Sequence, residues 1–322
     1  MKSFFLGEDF ELALIDKFSR YFVRHHLSFR PYHQKAAPLE LVADGEEVDV
    51  QTVLQKAIKN DGAIFDVRID DQVRLTKLDV REKDNIAIFL FRRSDPAAGA
   101  QVLENRRTRK LRPVEIGTDE YPAVSAHLFV QLKKQRLPNP TYRALMEEVP
   151  GLGRTYMHNV LRNTVRQFKY SFRDKKEEKE TYSIVGFDGV PSDTVGSALK
   201  GSEVPYVELV RPGQIAGLDT GGLVEPREQR MKLMIRADKP HQVIQTLNRI
   251  KDWMVDWSEM RVRLDLPEDR SRLISIARTQ DAKDVLFVRS IPVTTKKPLA
   301  TCTDVVNEEL VENAQDLFAK KD

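Results

Sequence analysis

The chain has 322 residues, of which 41% are hydrophobic and 31% are charged, and its formal net charge is +3. This length allows two domains with full cores, and the composition excludes a low-complexity chain. The single cysteine excludes an internal disulfide and a cysteine-rich metal site. No stretch approaches the about 18 apolar residues of a membrane span, and the first residues lack a signal-peptide core, so we expect a cytoplasmic protein without a membrane span.

The first third of the chain predicts a helix followed by a small sheet. Apolar residues recur at helical spacing over residues 8–26, with acids early and basic residues late, which is typical of an amphipathic helix. A second helix is predicted for residues 48–59. Three strands of an antiparallel meander follow at residues 63–69, 73–80 and 86–91. Residues 1–115 are therefore predicted to form an N-terminal α+β domain, a helix plus an antiparallel meander.

Positive charge is concentrated in the middle of the chain. Residues 101–180 contain 17 Lys/Arg against 10 Asp/Glu, so the remainder of the chain is net acidic. Five cations stand within seven residues: Arg106, Arg107, Arg109, Lys110 and Arg112. Lys133 and Lys134 follow a predicted strand at 123–132. Such a cluster suits contact with the phosphates of a polyanion, or a solvated linker between domains, and the sequence leaves both readings open.

Residues 139–168 have the pattern of two helices joined by a tight turn, Val149-Pro150-Gly151-Leu152-Gly153. Pro150 disfavours helix in the residue before it, and Gly151 and Gly153 permit positive φ. The second helix would carry Arg154 and Arg162 opposite its apolar stripe. Backbone N–H groups at a helix start beside cations suit an anion. The alternative is a helix that ends at a Pro-Gly turn inside an ordinary domain.

The last part of the chain, residues 181–322, predicts a ferredoxin-like β-α-β-β-α-β domain. Its strands are predicted at residues 182–187, 206–210, 231–235 and 260–266, and its helices at 192–199 and 240–255. Two extra strands (272–277 and 285–293) and a terminal helix (305–318) extend it. Residues 116–180 then form a basic strand and helical-hairpin segment between two α+β domains.

Two resemblances bear on function. The turn at 149–153, followed by Val160, resembles the helix-hairpin-helix DNA-binding motif, in which hairpin amides hold a backbone phosphate without reading sequence; Met157 departs from that family, where a small residue lets the helices pack closely. The C-terminal half, with MKLMIRADKPHQVIQTLNRIKDW, then MRVRLDLPEDRSRLIS and a terminal helix, resembles RexA-like phage-exclusion proteins. The latter resemblance implies a cytoplasmic DNA-binding homodimer in phage exclusion or anti-phage defence, with a protein partner in that system.

No motif for chemistry stands out. GxSxG, HExxH, Walker A and paired Cys/His spacings are all missing from the sequence, so no catalytic residue, cofactor or metal site is predicted. Asp and Glu are plentiful, which leaves a metal-dependent nuclease open.

The sequence therefore predicts a sequence-tolerant protein that binds double-stranded DNA and is not an enzyme. The predicted phosphate-binding residues are Arg106, Arg107, Arg109, Lys110, Arg112, Lys133, Lys134, Gly151, Gly153, Arg154 and Arg162. Two alternatives remain open: an RNA-binding ferredoxin-like protein, and an interaction subunit of a defence complex whose basic face meets an acidic protein.

Overall fold

The computed structural model describes residues 16–43, 48–99, 102–135, 139–175, 177–191, 193–213, 228–237, 239–266, 270–276 and 281–320. The chain divides into two compact units, and the second is inserted into the first. Unit 1 consists of Met1–Gly189 and Ser290–Asp322, and unit 2 is Val190–Arg289. The predicted boundaries after residues 115 and 180 do not match these units, because strands from all three predicted segments pair in one sheet.

The described residues form a mixed α+β structure in which the sheets are antiparallel. The strands are β1 (Ser19–Pro31), β2 (Ile64–Arg68), β3 (Asp71–Arg81), β4 (Ile86–Ser94), β5 (Val102–Glu104), β6 (Leu111–Pro113), β7 (Ala123–Gln131), β8 (Thr141–Glu148), β9 (Lys169–Asp174), β10 (Glu177–Gly189), β11 (Asp193–Thr194), β12 (Tyr206–Pro212), β13 (Glu228–Met234), β14 (Glu259–Leu266), β15 (Arg270–Ile276), β16 (Leu286–Phe287) and β17 (Ser290–Thr294). The helices are α1 (Val50–Lys59), α2 (Arg154–Gln167), α3 (Val195–Ala198), α4 (Pro240–Trp253) and α5 (Glu308–Ala319).

Unit 1 is built on a nine-stranded sheet in the order β2-β3-β4-β7-β8-β1-β10-β9, with β17 also paired to β1. Along one edge β1 pairs with β8. Along its other edge the first half of β1 pairs with β17 and the second half pairs with β10. This one strand therefore joins the beginning, the middle and the end of the chain.

Helices cover both faces of this sheet. Helices α1 and α2 pack together over β2, β3 and β10, on one face. Helix α5 packs on the other face, against a core that includes Phe22, Ile88, Phe129 and Leu145. The strand β4 is consequently buried at every position from Ile86 to Phe91. A strand that is buried on both faces shows no alternation of apolar and polar residues.

This double burial explains two wrong predictions. The predicted N-terminal helix 8–26 lies partly outside the described residues, and its described C-terminal part enters β1. The predicted first helix of the helix-hairpin-helix motif is β8. In β8, Tyr142 and Met146 are buried on one face and Leu145 on the other, so apolar residues fall three and four apart as they would in a helix. The Pro-Gly turn thus joins a strand to α2, and the helix-hairpin-helix prediction is wrong.

Other predicted elements are confirmed. Helix α1 lies within the predicted segment 48–59, the meander β2-β3-β4 is present with antiparallel pairing, and β7 and α5 form where expected. The Asp49 side chain caps α1 by accepting from the amide of Thr52 at 2.7 Å. Local signals therefore specified these elements.

Unit 2 contains a four-stranded antiparallel sheet in the order β13-β12-β14-β15. Val243 and Leu247 of α4 belong to a core with Val207, Leu209 and Val262 of the sheet. The predicted first strand of the ferredoxin-like domain, 182–187, instead belongs to β10 in the large sheet of unit 1. The β-α-β-β-α-β order is therefore not gathered into one sheet, and the ferredoxin-like prediction is wrong for that strand. The predicted strand 285–293 is likewise divided between β16 and β17, which lie in different sheets.

A close approach at Gly196 yields a test of unit 2. A Cβ atom at Gly196 would lie 2.9 Å from the carbonyl oxygen of Lys283, which is backbone and cannot rotate away. We expect Gly196→Ala to destabilise unit 2 by roughly 1–3 kcal/mol. Both tryptophans of the chain, Trp253 and Trp257, lie in unit 2, so urea unfolding followed by tryptophan fluorescence reports on it. Gly201→Ala is the control, because a Cβ there meets no atom within 4 Å; equal stability of the two variants would contradict the expectation.

Candidate nucleic-acid interface

Strands β5 and β6 form a two-stranded hairpin, Val102–Pro113, which we call the cationic hairpin. It arises between the end of β4 and the start of β7, two strands that pair at Ser94 and Ala123. The turn is closed by the amide of Asn105, which donates to the carbonyl of Lys110 at 2.9 Å. The Asn105 side-chain oxygen accepts from the amides of Arg107 and Thr108, both at 3.0 Å. An asparagine that bonds to the amides after it is a strong turn former.

The cationic hairpin carries the five clustered cations on an exposed ribbon. Arg106, Arg107, Arg109, Lys110 and Arg112 are all exposed. Arg109 pairs with Glu104 at 3.2 Å and adopts a left-handed backbone with φ of 56°. Among the described residues, the other four cations form no ion pair. The cluster is therefore only slightly neutralised from within, which suits an external polyanion.

The remaining predicted residues do not gather at one place. Lys133 and Lys134 are exposed, but they follow β7 at the end of the sheet opposite to the hairpin, and Lys134 pairs with Glu40. Arg162 is exposed on α2, two turns from its start. The turn with Gly151 and Gly153 does lie at the hairpin end of the strands, since it contacts Arg93 of β4.

Arg93 fixes this turn from the neighbouring strand. Its guanidinium donates to the carbonyl of Gly151 at 2.6 Å and lies 4.8 Å from the ring centre of Tyr156. It also forms a two-pronged pair with buried Asp71 at 2.9 and 2.8 Å, and a further bond to Asp95 at 3.0 Å. Hydrogen bonds from Arg93 outweigh the effect of burial and hold the pKa of Asp71 below its ordinary value.

The turn itself is anchored by apolar residues. Val149 and Leu152 form an isolated bridge and are both buried, and Gly151 adopts φ of 80°, which favours glycine. Gly153 is the N-cap residue of α2. The role of this turn is thus mainly structural. The carbonyl of Gly151 accepts a hydrogen bond from Arg93, and the side chains of Val149 and Leu152 enter the core.

Arg154 also has a structural partner. The segment of β10 that pairs with β1 leaves its other edge without a strand partner among the described residues. There the carbonyls of Phe187 and Val185 accept hydrogen bonds from Arg154 at 2.8 Å and from His158 Nε2 at 2.9 Å. Side chains of α2 therefore satisfy backbone acceptors that an open sheet edge would leave unpaired.

The sequence interpretation missed a second basic surface on β1. Because side chains alternate along a strand, Arg24, His26, Ser28 and Arg30 lie on one face of β1, and Tyr32 continues this series. The alternation of polar residues from 24 to 32 indicates a strand with one polar face. The interpretation of residues 8–26 as a helix obscured this pattern.

The described part of the chain contains neither a metal-binding cluster nor a membrane-spanning helix. No group of three or more His, Cys, Asp or Glu side chains there is arranged to hold a metal ion. None of the helices described is both long enough and apolar enough to span a membrane.

Comparison with known proteins found no match among models of protein families, among curated proteins or among solved structures.

The buried pair Asp71–Arg93 should make stability depend on pH. Because the pKa of Asp71 is lowered in the folded state, its contribution is present above about pH 4 and is lost as pH falls through the folded pKa. Asp71→Asn replaces the buried carboxylate by a neutral amide, while Asp95 stays paired with Arg93. We therefore expect a loss of roughly 1–3 kcal/mol at neutral pH and a shallower decline on acidification. Urea unfolding at several pH values measures both. The neighbouring exposed Asp70→Asn is the control, and a variant with the same acid dependence as the wild type would contradict the assignment.

Asn105 should hold the hairpin turn in place. Asn105→Ala removes the acceptor of the Arg107 and Thr108 amides, so their hydrogen exchange should accelerate several-fold, because protection reports local opening. Exchange followed by NMR or mass spectrometry measures this. Thr108→Ala keeps the acceptor and serves as the control; unchanged exchange in Asn105→Ala would show that the turn does not depend on this side chain.

Proposed function

We propose that the protein binds double-stranded DNA through phosphate contacts from the cationic hairpin, without reading base sequence. The observation that carries this proposal is the exposure of five cations, four of them without an ion pair among the described residues, on one two-stranded ribbon. Phosphate contacts supply most of the affinity of sequence-tolerant DNA binding, and arginine suits them because its fork of donors matches phosphate oxygens.

The shape of the ribbon supports the same function. A two-stranded β-ribbon can enter the major groove of DNA, which is about 12 Å wide. The turn residues Arg106 and Arg107 stand at the tip, where the backbone is held by Asn105. The turn at Gly151 and Gly153 lies at the same end of the sheet and adds the start of α2, whose dipole favours an anion. In this proposal the cationic hairpin makes the main phosphate contacts, and the turn at Gly151 and Gly153 makes an additional contact beside it.

A second candidate function is docking of a protein partner onto the same hairpin. Its strands also expose Leu103 and Leu111, with 50% and 70% of their surfaces accessible. Exposed apolar residues beside cations suit an acidic protein surface. Substituting Leu103 and Leu111 by serine separates the two functions, because it removes the apolar contact and leaves every cation in place.

The role in phage exclusion or anti-phage defence, and the homodimeric state, follow from the RexA-like resemblance and stay predictions. RNA binding stays the alternative substrate class, and competition between duplex DNA and RNA of equal charge decides between them.

Removing hairpin charge should weaken duplex binding and its dependence on salt together. We expect the triple variant Arg106→Gln, Arg107→Gln, Lys110→Gln to lower the steepness of log K against log salt by about 3, since each lost phosphate contact removes about 0.9. Fluorescence polarisation on two duplexes of unrelated sequence measures the affinity, which should fall equally on both.

A matched control removes the same charge elsewhere. Lys56, Lys59 and Lys83 are exposed and lie outside the hairpin, on α1 and on the turn between β3 and β4. Their triple substitution by glutamine should leave the salt dependence nearly unchanged. The proposal fails if the two triple variants behave alike, or if wild-type binding does not weaken with salt.

A further inference from the structure

A second basic surface lies at the end of the large sheet opposite to the cationic hairpin. The amide of Tyr32 donates to the carbonyl of Tyr182 at 2.8 Å, and Tyr182 in turn pairs with Lys169 of β9. Residues that oppose one another in antiparallel strands share a face. Tyr32, Tyr182 and Lys169 therefore form one row across three strands, and Arg30 lies on the same face two residues before Tyr32. We call this surface the aromatic face.

The two tyrosines form a stack that is open on its outer side. Their ring centres are 4.8 Å apart and the rings are inclined by 15°. The guanidinium of Arg166, at the end of α2, lies 5.3 Å from the ring centre of Tyr182. Tyr32 itself is 59% exposed. A planar ring in water, already supported by a second ring and a guanidinium, is a platform for one more planar group.

The cations around the stack are accessible. Arg30, Arg166, Lys169 and Arg173 are all exposed. Lys169 has a weak pair with Glu180 at 3.7 Å, whereas Arg30, Arg166 and Arg173 have no ion pair among the described residues. Arg173 lies on the same face of β9 as Lys169, four residues further along. The stack is thus bordered by cations on more than one strand, and the carboxylates of Glu180 and Glu178 lie on β10 opposite Ser171 and Arg173.

Small residues lie on the sheet surface beside the stacked tyrosines. Gly186 opposes Ser28, two residues along from the row of Arg30, and any Cβ at Gly186 would collide with the Ser28 hydroxyl. The apolar core beneath α5 does not extend to this row: it contains Phe22, Leu145 and Val293, which lie toward the other end of β1 or on β8 and β17. The sheet next to the exposed aromatic ring therefore carries the small residues Ser28 and Gly186 beside Ile184, which opposes Arg30.

From this juxtaposition we infer that the aromatic face binds single-stranded nucleic acid, with an unpaired base stacked on Tyr32 and adjacent phosphates held by Arg30 and Arg173. Single strands are bound by exposed aromatic rings combined with a positively charged track, because every base has a stacking surface and every linkage a charge. Duplex DNA hides its bases, so this surface has a different substrate from the hairpin. The inference goes beyond the proposed function and uses none of its residues.

The test measures binding of labelled oligo-dT and oligo-U, which distinguish DNA from RNA, together with an abasic strand of equal length and charge. We expect Tyr32→Ala to weaken binding of at least one oligonucleotide by roughly 10-fold and to leave the abasic strand unaffected, because stacking requires a base. Tyr32→Trp should retain or improve binding. Tyr121→Ala is the matched control, since Tyr121 is also exposed, at 42%, but precedes β7 at the hairpin end of the sheet.

A second variant tests the inference independently, in case Tyr32→Ala does not fold. Arg30→Gln keeps the ring and should reduce the salt dependence of oligonucleotide binding by about one phosphate contact, roughly 0.7 in the slope for a single strand. The inference would be overturned if both variants bound both oligonucleotides as tightly as the wild type does. It would also be overturned if the wild type bound the abasic strand as tightly as oligo-dT.

Duplex binding by the same variants separates this inference from the proposed function. We expect Tyr32→Ala to leave the affinity for duplex DNA unchanged. We expect the hairpin triple variant still to bind oligonucleotides that carry bases more tightly than the abasic strand. Loss of duplex binding in the hairpin variant alone tests the proposed function, whichever way the Tyr32 result falls.

Discussion

Backbone pairing along both edges of β1 is the constraint on which the architecture depends. Strand β8 occupies one edge, and β17 and β10 share the other, so segments from three parts of the chain close around one strand. Gly189, at the end of β10, opposes His25, and Ser290, at the start of β17, opposes Val23. The chain therefore leaves and re-enters the sheet at adjacent positions. Unit 2 is inserted at this point, where a long connection does not disturb the register.

A buried ionic cluster ties the first strand to the last helix. Glu147 of β8 accepts from Arg20 of β1 at 2.9 Å and from His127 Nδ1 of β7 at 2.7 Å. The backbone of Asn307, the N-cap residue of α5, donates to the other nitrogen of His127 at 3.4 Å. Burial alone would raise the pKa of Glu147, but the hydrogen bonds from His127 and the charge of Arg20 lower it overall. Removing either Arg20 or Glu147 would leave the charge of the other buried without its opposite charge.

The two proposed binding surfaces differ in how they are built. The cationic hairpin is an excursion from the ends of β4 and β7, so it projects from the sheet and can approach the outside of a duplex. The aromatic face is part of the sheet, where Tyr32 and Tyr182 are placed by strand register and supported by Arg166. An exposed ribbon of cations suits phosphates, whereas a stacked ring supported by a second ring suits a base.

Local sequence signals were enough to identify the helices α1 and α5, the meander β2-β3-β4 and the cation cluster at Arg106–Arg112. That β8 is a strand became clear only in the folded chain, because both of its faces are buried and the period of two is lost. In β1 the apolar residues Phe22 and Val23 interrupt an alternation that resumes in the second half of the strand. The tertiary structure also decided that Lys133 and Lys134 lie far from the hairpin, and that Arg154 is engaged by the edge of β10. Tyr32 and Tyr182 are distant in the chain, and their stack exists only because antiparallel register brings them together.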